Sequence, residues 1–331
     1  MISKEFEATI AEALGLLAKN PEWEARYAGY AKVLLNRAPA IANRKKLFRE
    51  FPPLRFYLRI SDIKKAASYT PFDVRYRGQS VASMRVYDDR VLIDKTSTKN
   101  DQYFSTDETL AIGEAVDWSS EQASNLRRHF RDLCDASGKS PEHNIENLLL
   151  TEFSKKKREG KGVVGIQPVR YPDKDSGFRF AMPTPLKASK HSELHYSDDK
   201  GGGIDILART SIGGGTRLTV IEVKDEYNNS NNNEPPTAAV KQAIAYATFV
   251  LKLLRSESGS DWWSIFGFGR ALPASLTVNV ACAMPHNPKG EDDVSFAGER
   301  LAVGNDFIEC HFIYFDYDRK TNSLGCFRHS L

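Results

Sequence analysis

Apolar residues recur at helical spacing through the first sixty positions, in segments interrupted at Asn20-Pro21 and Pro52-Pro53, and predict two or three helices there. The period then changes. Residues 72–95, FDVRYRGQSVASMRVYDDRVLIDK, alternate apolar and polar side chains around Gly78 and Asp88-Asp89, as an antiparallel meander does. Helical spacing returns over 117–136, where Ser119 or Ser120 is placed to cap the first turn. The polar, breaker-rich stretch SGKSPEH (137–143) predicts a linker. The chain is therefore expected to divide into a helical and β-meander domain over 1–137 and a second domain over 143–331.

In that second part the pattern predicts a helix over 143–158 and strands near 163–170 and 177–182. Strands at 203–212 and 216–226, a long helix at 237–255, and strands near 275–284 and 307–317 follow. Val240, Ile244, Ala247, Leu251 and Leu254 form one stripe of the long helix, which is expected to pack on a sheet. The fold class is mixed α/β of the α+β kind, a central mixed sheet flanked by helices.

Composition narrows the picture. The 331 residues, 41% hydrophobic and 27% charged, suit a folded chain of two domains or one elaborated one. The opening segment carries Glu5, Glu7 and Glu12 among its apolar residues, and no apolar run reaches the ~20 residues of a membrane helix, so no membrane association is expected. Cys134, Cys282, Cys310 and Cys326 lack C-x-x-C spacing, which argues against a cysteine zinc site and for a reducing cytoplasmic location. The net charge of +3 means that any hold on a polyanion must come from local patches. Lys155, Lys156, Lys157, Arg158 and Lys161 form one such patch and Arg127, Arg128 and Arg131 another, although cations also simply stabilise helix ends.

The chemistry concentrates in GGGIDILARTSIGGGTRLTVIEVKDE (201–226), two strand-like runs joined by Gly213-Gly214-Gly215. A two-residue turn at Gly213-Gly214 pairs Ile212 with Gly215 and places Asp205 opposite Glu222. A turn at Gly214-Gly215 places it opposite Lys224 instead. Either way the three charges share a face, because strand side chains alternate with period 2. A three-residue turn would oppose Asp205 to Val223 and break the cluster unless a bulge restored the phase. Two carboxylates and an ammonium at the end of an apolar run call for pairing or a hard cation such as Mg²⁺. A solvated salt-bridge ladder is the competing reading.

G-x-D, a hydrophobic strand ending in E-V-K, and a helix carrying Q-A-I-A-Y, in that order, resemble the PD-(D/E)XK nuclease superfamily over roughly residues 143–285. The resemblance implies a restriction-endonuclease-like core. It also implies Asp205 and Glu222 as metal ligands with the carbonyl of Val223, Lys224 as the catalytic lysine, and Mg²⁺ (or Mn²⁺) as cofactor. The family often adds a glutamate from the first helix. Glu146, with Leu149, Leu150 and Phe153 at +3, +4 and +7, faces the sheet better than Glu152, which precedes Lys155 and Lys156. Gln242 and Tyr246 share a helix face as in the Q-x-x-x-Y of some branches, which adds Gln242 to the expected site. The segment 171–202 is longer than a minimal core needs, and its His191 and His195 read as loop histidines.

These residues lead to the expectation of a Mg²⁺-dependent nuclease hydrolysing DNA, double-stranded in the first instance, of a restriction or defence type. The alternative is a catalytically degenerate nuclease-fold binding or scaffold protein, and a homodimer is left open. The 1–137 region would recognise nucleic acid or mediate assembly.

Overall fold

The computed structural model describes residues 2–44, 48, 51–64, 68–96, 112–133, 141–155, 163, 165–189, 192–198, 202–212, 215–227 and 234–331. Its mixed α/β architecture has six helices among those residues: α1 (Ile2–Lys19), α2 (Glu22–Arg44), α3 (Glu121–Asp132), α4 (Pro141–Glu152), α5 (Pro236–Leu254) and α6 (Gly259–Ile265). Phe6, Ile10, Ala13 and Leu17 give α1 its single buried stripe. Ser120 caps α3, its hydroxyl accepting from the Ala123 N–H.

The first sheet begins with β1 (Arg55–Leu58), β2 (Thr70–Tyr76), β3 (Gln79–Val86), β4 (Val91–Thr96) and β5 (Val116–Asp117), the meander expected from the alternation. After β6 (Ile166–Pro168) the chain returns to it with β7 (Arg170–Tyr171) and β8 (Phe178–Phe180), giving the order β5-β4-β3-β2-β1-β8-β7. β8 pairs in parallel with β1, and one buried cluster runs from Phe6 to Tyr314, so sheet and core both extend across the expected boundary at 137–143, of which residues 137–140 lie outside the described residues.

Two short pairs follow. They are β9 (Met182–Pro183) with β12 (Gly203–Ile204), and β10 (Leu186–Ser189) with β11 (Ser192–Tyr196). Much of the segment 171–202 is thus strand. His195 lies exposed on β11, whereas His191 lies outside the described residues.

The second sheet contains β6, β13 (Ile206–Ile212), β14 (Gly215–Val223), β15 (Thr277–Pro285), β16 (Arg300–Val303), β17 (Asp306–Asp318) and β18 (Ser323–His329), with β14, β15 and β17 parallel to one another. Its two faces read directly from period 2. Ile221 and Val223 pack with Ile145, Leu149 and Leu150 of α4, while Val220 packs with Val240 and Ile244 of α5. Helix α5 is long and apolar enough to cross a bilayer, but it is mostly buried in this core.

One glycine docks the first sheet on α4. Gly78, in the β2–β3 turn at φ +79°, sits where a Cβ would lie 2.0 Å from the His143 carbonyl oxygen. That contact brings Arg75 of β2 to the start of α4.

Candidate active site

The hairpin register decides among the alternatives left by the triple glycine. Ile212 pairs with Gly215 and Ile206 with Ile221, the phase of a two-residue connection, although Gly213 and Gly214 themselves lie outside the described residues. One further step places Asp205 across from Glu222. Asp205 interrupts the run expected as one strand at 203–212, lying between β12 and β13, and its Oδ2 accepts the Val223 N–H at 2.9 Å. Val223 therefore meets Asp205 through its amide.

Glu222, near the end of β14, and Lys224, just past it, lie on the α5 side. Lys224 Nζ lies 2.8 Å from Glu222 Oε1, and both side chains are buried. The Lys224 N–H donates to the Ala283 carbonyl at 2.8 Å, so pairing with β15 continues past the strand end and fixes the lysine backbone. Gln242, from the first half of α5, accepts from Lys224 Nζ at 3.4 Å and donates to Glu234. Tyr246, one turn on, instead clamps β10, its hydroxyl donating to the Ala188 carbonyl at 3.1 Å.

The carboxylate from the first helix differs from the expectation. Oxygens of Glu142, Asp205 and Glu222 lie within 4.8 Å of one another. Glu146 is also buried nearby, but it is drawn aside to Arg75 Nη1 at 3.6 Å and His143 Nδ1 at 3.5 Å. Glu142 escaped the sequence reading because Pro141 was assigned to the linker, whereas proline at a first helical position is itself a start signal. With the start moved back, Ile145, Glu146 and Leu149 fall at +3, +4 and +7 from Glu142. Glu234 was missed as well. It lies 3.5 Å from Lys224 Nζ, in the connection before α5 where no periodicity marks it.

The electrostatics follow from crowding. Burial, then the neighbouring charges of Glu222, Glu146 and Glu142, push the Asp205 carboxyl well above its usual range. Burial lifts Glu222 to about 7 despite the opposing pull of Lys224, and lifts Glu142 in the same direction. Burial alone would lower Lys224, but Glu222, Glu142 and Asp205 overcome it and keep the ammonium charged. Glu142, Asp205 and Glu222 thus form a set of hard oxygen donors whose mutual repulsion a divalent cation would relieve, and the donor set fits Mg²⁺ or Mn²⁺. Of the expected basic groups, Arg127 stacks on Trp118 with its Cζ 4.2 Å from the ring centroid, and Lys155 pairs with Glu152. Residues 156–162 lie outside the described residues.

No family model, curated protein or solved structure matches this chain.

Proposed function

We propose that the protein is a divalent-metal-dependent phosphodiesterase. The observation that carries this reading is the convergence of Glu142, Asp205 and Glu222 around one point, with the buried Lys224 ammonium bonded to Glu222. Within that class the reading is a DNA nuclease of the PD-(D/E)XK kind, a restriction or defence endonuclease working in the cytoplasm.

Glu142, Asp205 and Glu222 would hold the ion, which supplies Lewis-acid polarisation of a phosphodiester oxygen and acidification of water. The Val223 N–H fixes the Asp205 carboxylate by donating to Oδ2. Lys224, kept positive by Glu222, Glu142 and Glu234, presents its ammonium to charge developing on the phosphate. Gln242 orients that ammonium through its side-chain oxygen. The apolar layers of α4 and α5 exclude water from the sheet beneath, where each such interaction is strengthened.

The test is incubation of purified protein with circular and linear DNA in Mg²⁺ or EDTA, beside Lys224→Ala. Cleavage that needs the metal and is lost in the variant supports the reading. DNA retention with no metal-dependent cleavage by the wild type would replace it with the binding-module alternative.

A further inference from the structure

A second concavity adjoins the carboxylate cluster. It has a volume of about 430 Å³ and lies between α2, strands β1 and β2, and the β9–β12 pair. That is within the ~300–1,000 Å³ of sites that enclose a single small molecule. Gly203 on its wall is two residues before Asp205, and Arg75, also on its wall, is the ion-pair partner of Glu146. Cleft and cluster thus meet along one short stretch of chain.

The lining combines guanidinium groups with aromatic rings. Arg26, Arg59 and Arg75 all border the cleft, as do Tyr30 and Tyr57. Each guanidinium already has a carboxylate neighbour: Arg59 Nε is 2.9 Å from Asp62, Arg75 Nε is 2.7 Å from Asp73, and Arg26 Nη1 is 3.7 Å from Asp198. Arg26 Nη2 also donates to the Tyr196 hydroxyl and Arg75 Nη1 pairs with Glu146, so these forks are held in place, and the 41% exposed Arg59 is the one best placed to meet an anion. The Arg75 guanidinium stacks over the Tyr57 ring at 4.3 Å, and the buried Tyr57 hydroxyl has no hydrogen-bond partner of ordinary geometry among the described residues. Tyr30 and Tyr57 are themselves buried, so the plane available to a base is the Arg75 guanidinium that covers Tyr57, and bases of single-stranded nucleic acids stack on guanidinium planes as well as on rings.

We propose that this cleft seats one unpaired nucleotide of the strand being cut, next to the scissile phosphate. This deepens the nuclease reading and rests on it for the identity of the polymer. A duplex cannot enter so small a cleft without giving up a base from its stack, so the favoured substrate carries a single-stranded segment. Gly203 lines the cleft two residues before Asp205. No described atom outside its chain neighbours lies within 4 Å of the Cβ position, and its backbone lies outside the left-handed region, so a side chain there is accommodated and takes up space at the cleft wall.

The experiment measures binding in EDTA, independently of cleavage. Fluorescence anisotropy compares a labelled oligothymidylate single strand with a dumbbell duplex that has no free ends, for the wild type, Arg59→Ala and Gly203→Leu. The single strand is expected to bind about tenfold more tightly than the dumbbell, the scale of one stacked base. Each variant should lose about fivefold or more of that single-strand affinity with little change on the dumbbell. Arg59 is 41% exposed, so its replacement leaves the core intact, and thermal melting verifies both variants. Equal affinity of the wild type for the two DNAs, or single-strand binding within about twofold of wild type in a folded variant, overturns the proposal. Absence of metal-dependent cleavage with these binding differences intact would overturn the nuclease reading instead.

Discussion

Replacing Lys224 with alanine separates three roles that one buried ammonium performs. Its Nζ lies 2.8 Å from Glu222, 3.5 Å from Glu234 and 3.7 Å from Glu142, and the residue is 7% exposed. Removing one partner of a buried ion pair typically costs about 3–5 kcal/mol, because the remaining charge is left uncompensated. That loss should appear above about pH 7, where the Glu222 carboxyl, raised to about 7, is ionised, and should shrink towards about pH 5, where it takes up a proton and no longer needs the lysine. Cleavage should fall by ~10²-fold or more, the scale of a positioned electrostatic group. Mn²⁺ binding should move the other way and be equal or tighter, since a cation has been removed from beside the carboxylates that would hold the metal. Urea denaturation at two pH values, Mn²⁺ calorimetry and a cleavage time course on the same preparation read all three. Unchanged cleavage, or Mn²⁺ affinity that collapses with the lysine, would refute the assignment.

Further outcomes follow from the same geometry. Asp205→Asn keeps the shape but loses the charge that a hard cation requires, so Mn²⁺ affinity should drop by at least about tenfold in calorimetry. Glu142→Gln should weaken Mn²⁺ binding more than Glu146→Gln, because only Glu142 has an oxygen within 4.8 Å of both Asp205 and Glu222; equal losses would restore Glu146 as the ligand from the first helix. Without metal, the Glu222 carboxyl is raised from an ordinary 4.5 to about 7, so the folded state holds its proton more tightly than the unfolded chain. Its contribution is complete below about pH 4.5 and is lost as pH rises through about 7, a change of about 3 kcal/mol. Denaturation in EDTA should show wild-type stability declining across that window and a flatter curve for Glu222→Gln.

The reach of the sequence differs from one part of the molecule to another. The Asp205, Glu222 and Lys224 cluster was legible because a glycine turn sets hairpin register and register sets which side chains share a face. Gln242 was legible because helix spacing is equally local. The pairing of β1 with β8 was not, since it joins residues more than a hundred positions apart and leaves no trace in local periodicity. Reading SGKSPEH as a boundary hid both the start of α4 at Pro141 and the ligand candidate Glu142 beside it. Glu234 lay beyond reach for a related reason, because only the tertiary approach of α5 to β14 brings it to the lysine.

The interlocking of early and late segments also bears on how the molecule is made. Ser3 donates to Glu299, the Tyr171 hydroxyl donates to the Leu34 carbonyl, and the Tyr27 hydroxyl to the Pro183 carbonyl, contacts separated by 296, 137 and 156 positions. During synthesis, α1 leaves the ribosome long before α5 exists, and the apolar stripe of Phe6, Ile10, Ala13 and Leu17 must wait for its counterpart. Closure of such distant contacts is slow, so the nascent chain spends that interval with adhesive surface uncovered. Chaperone capture of the first helices, and yields that rise when translation is slowed by cold, are the cellular behaviour this topology foretells.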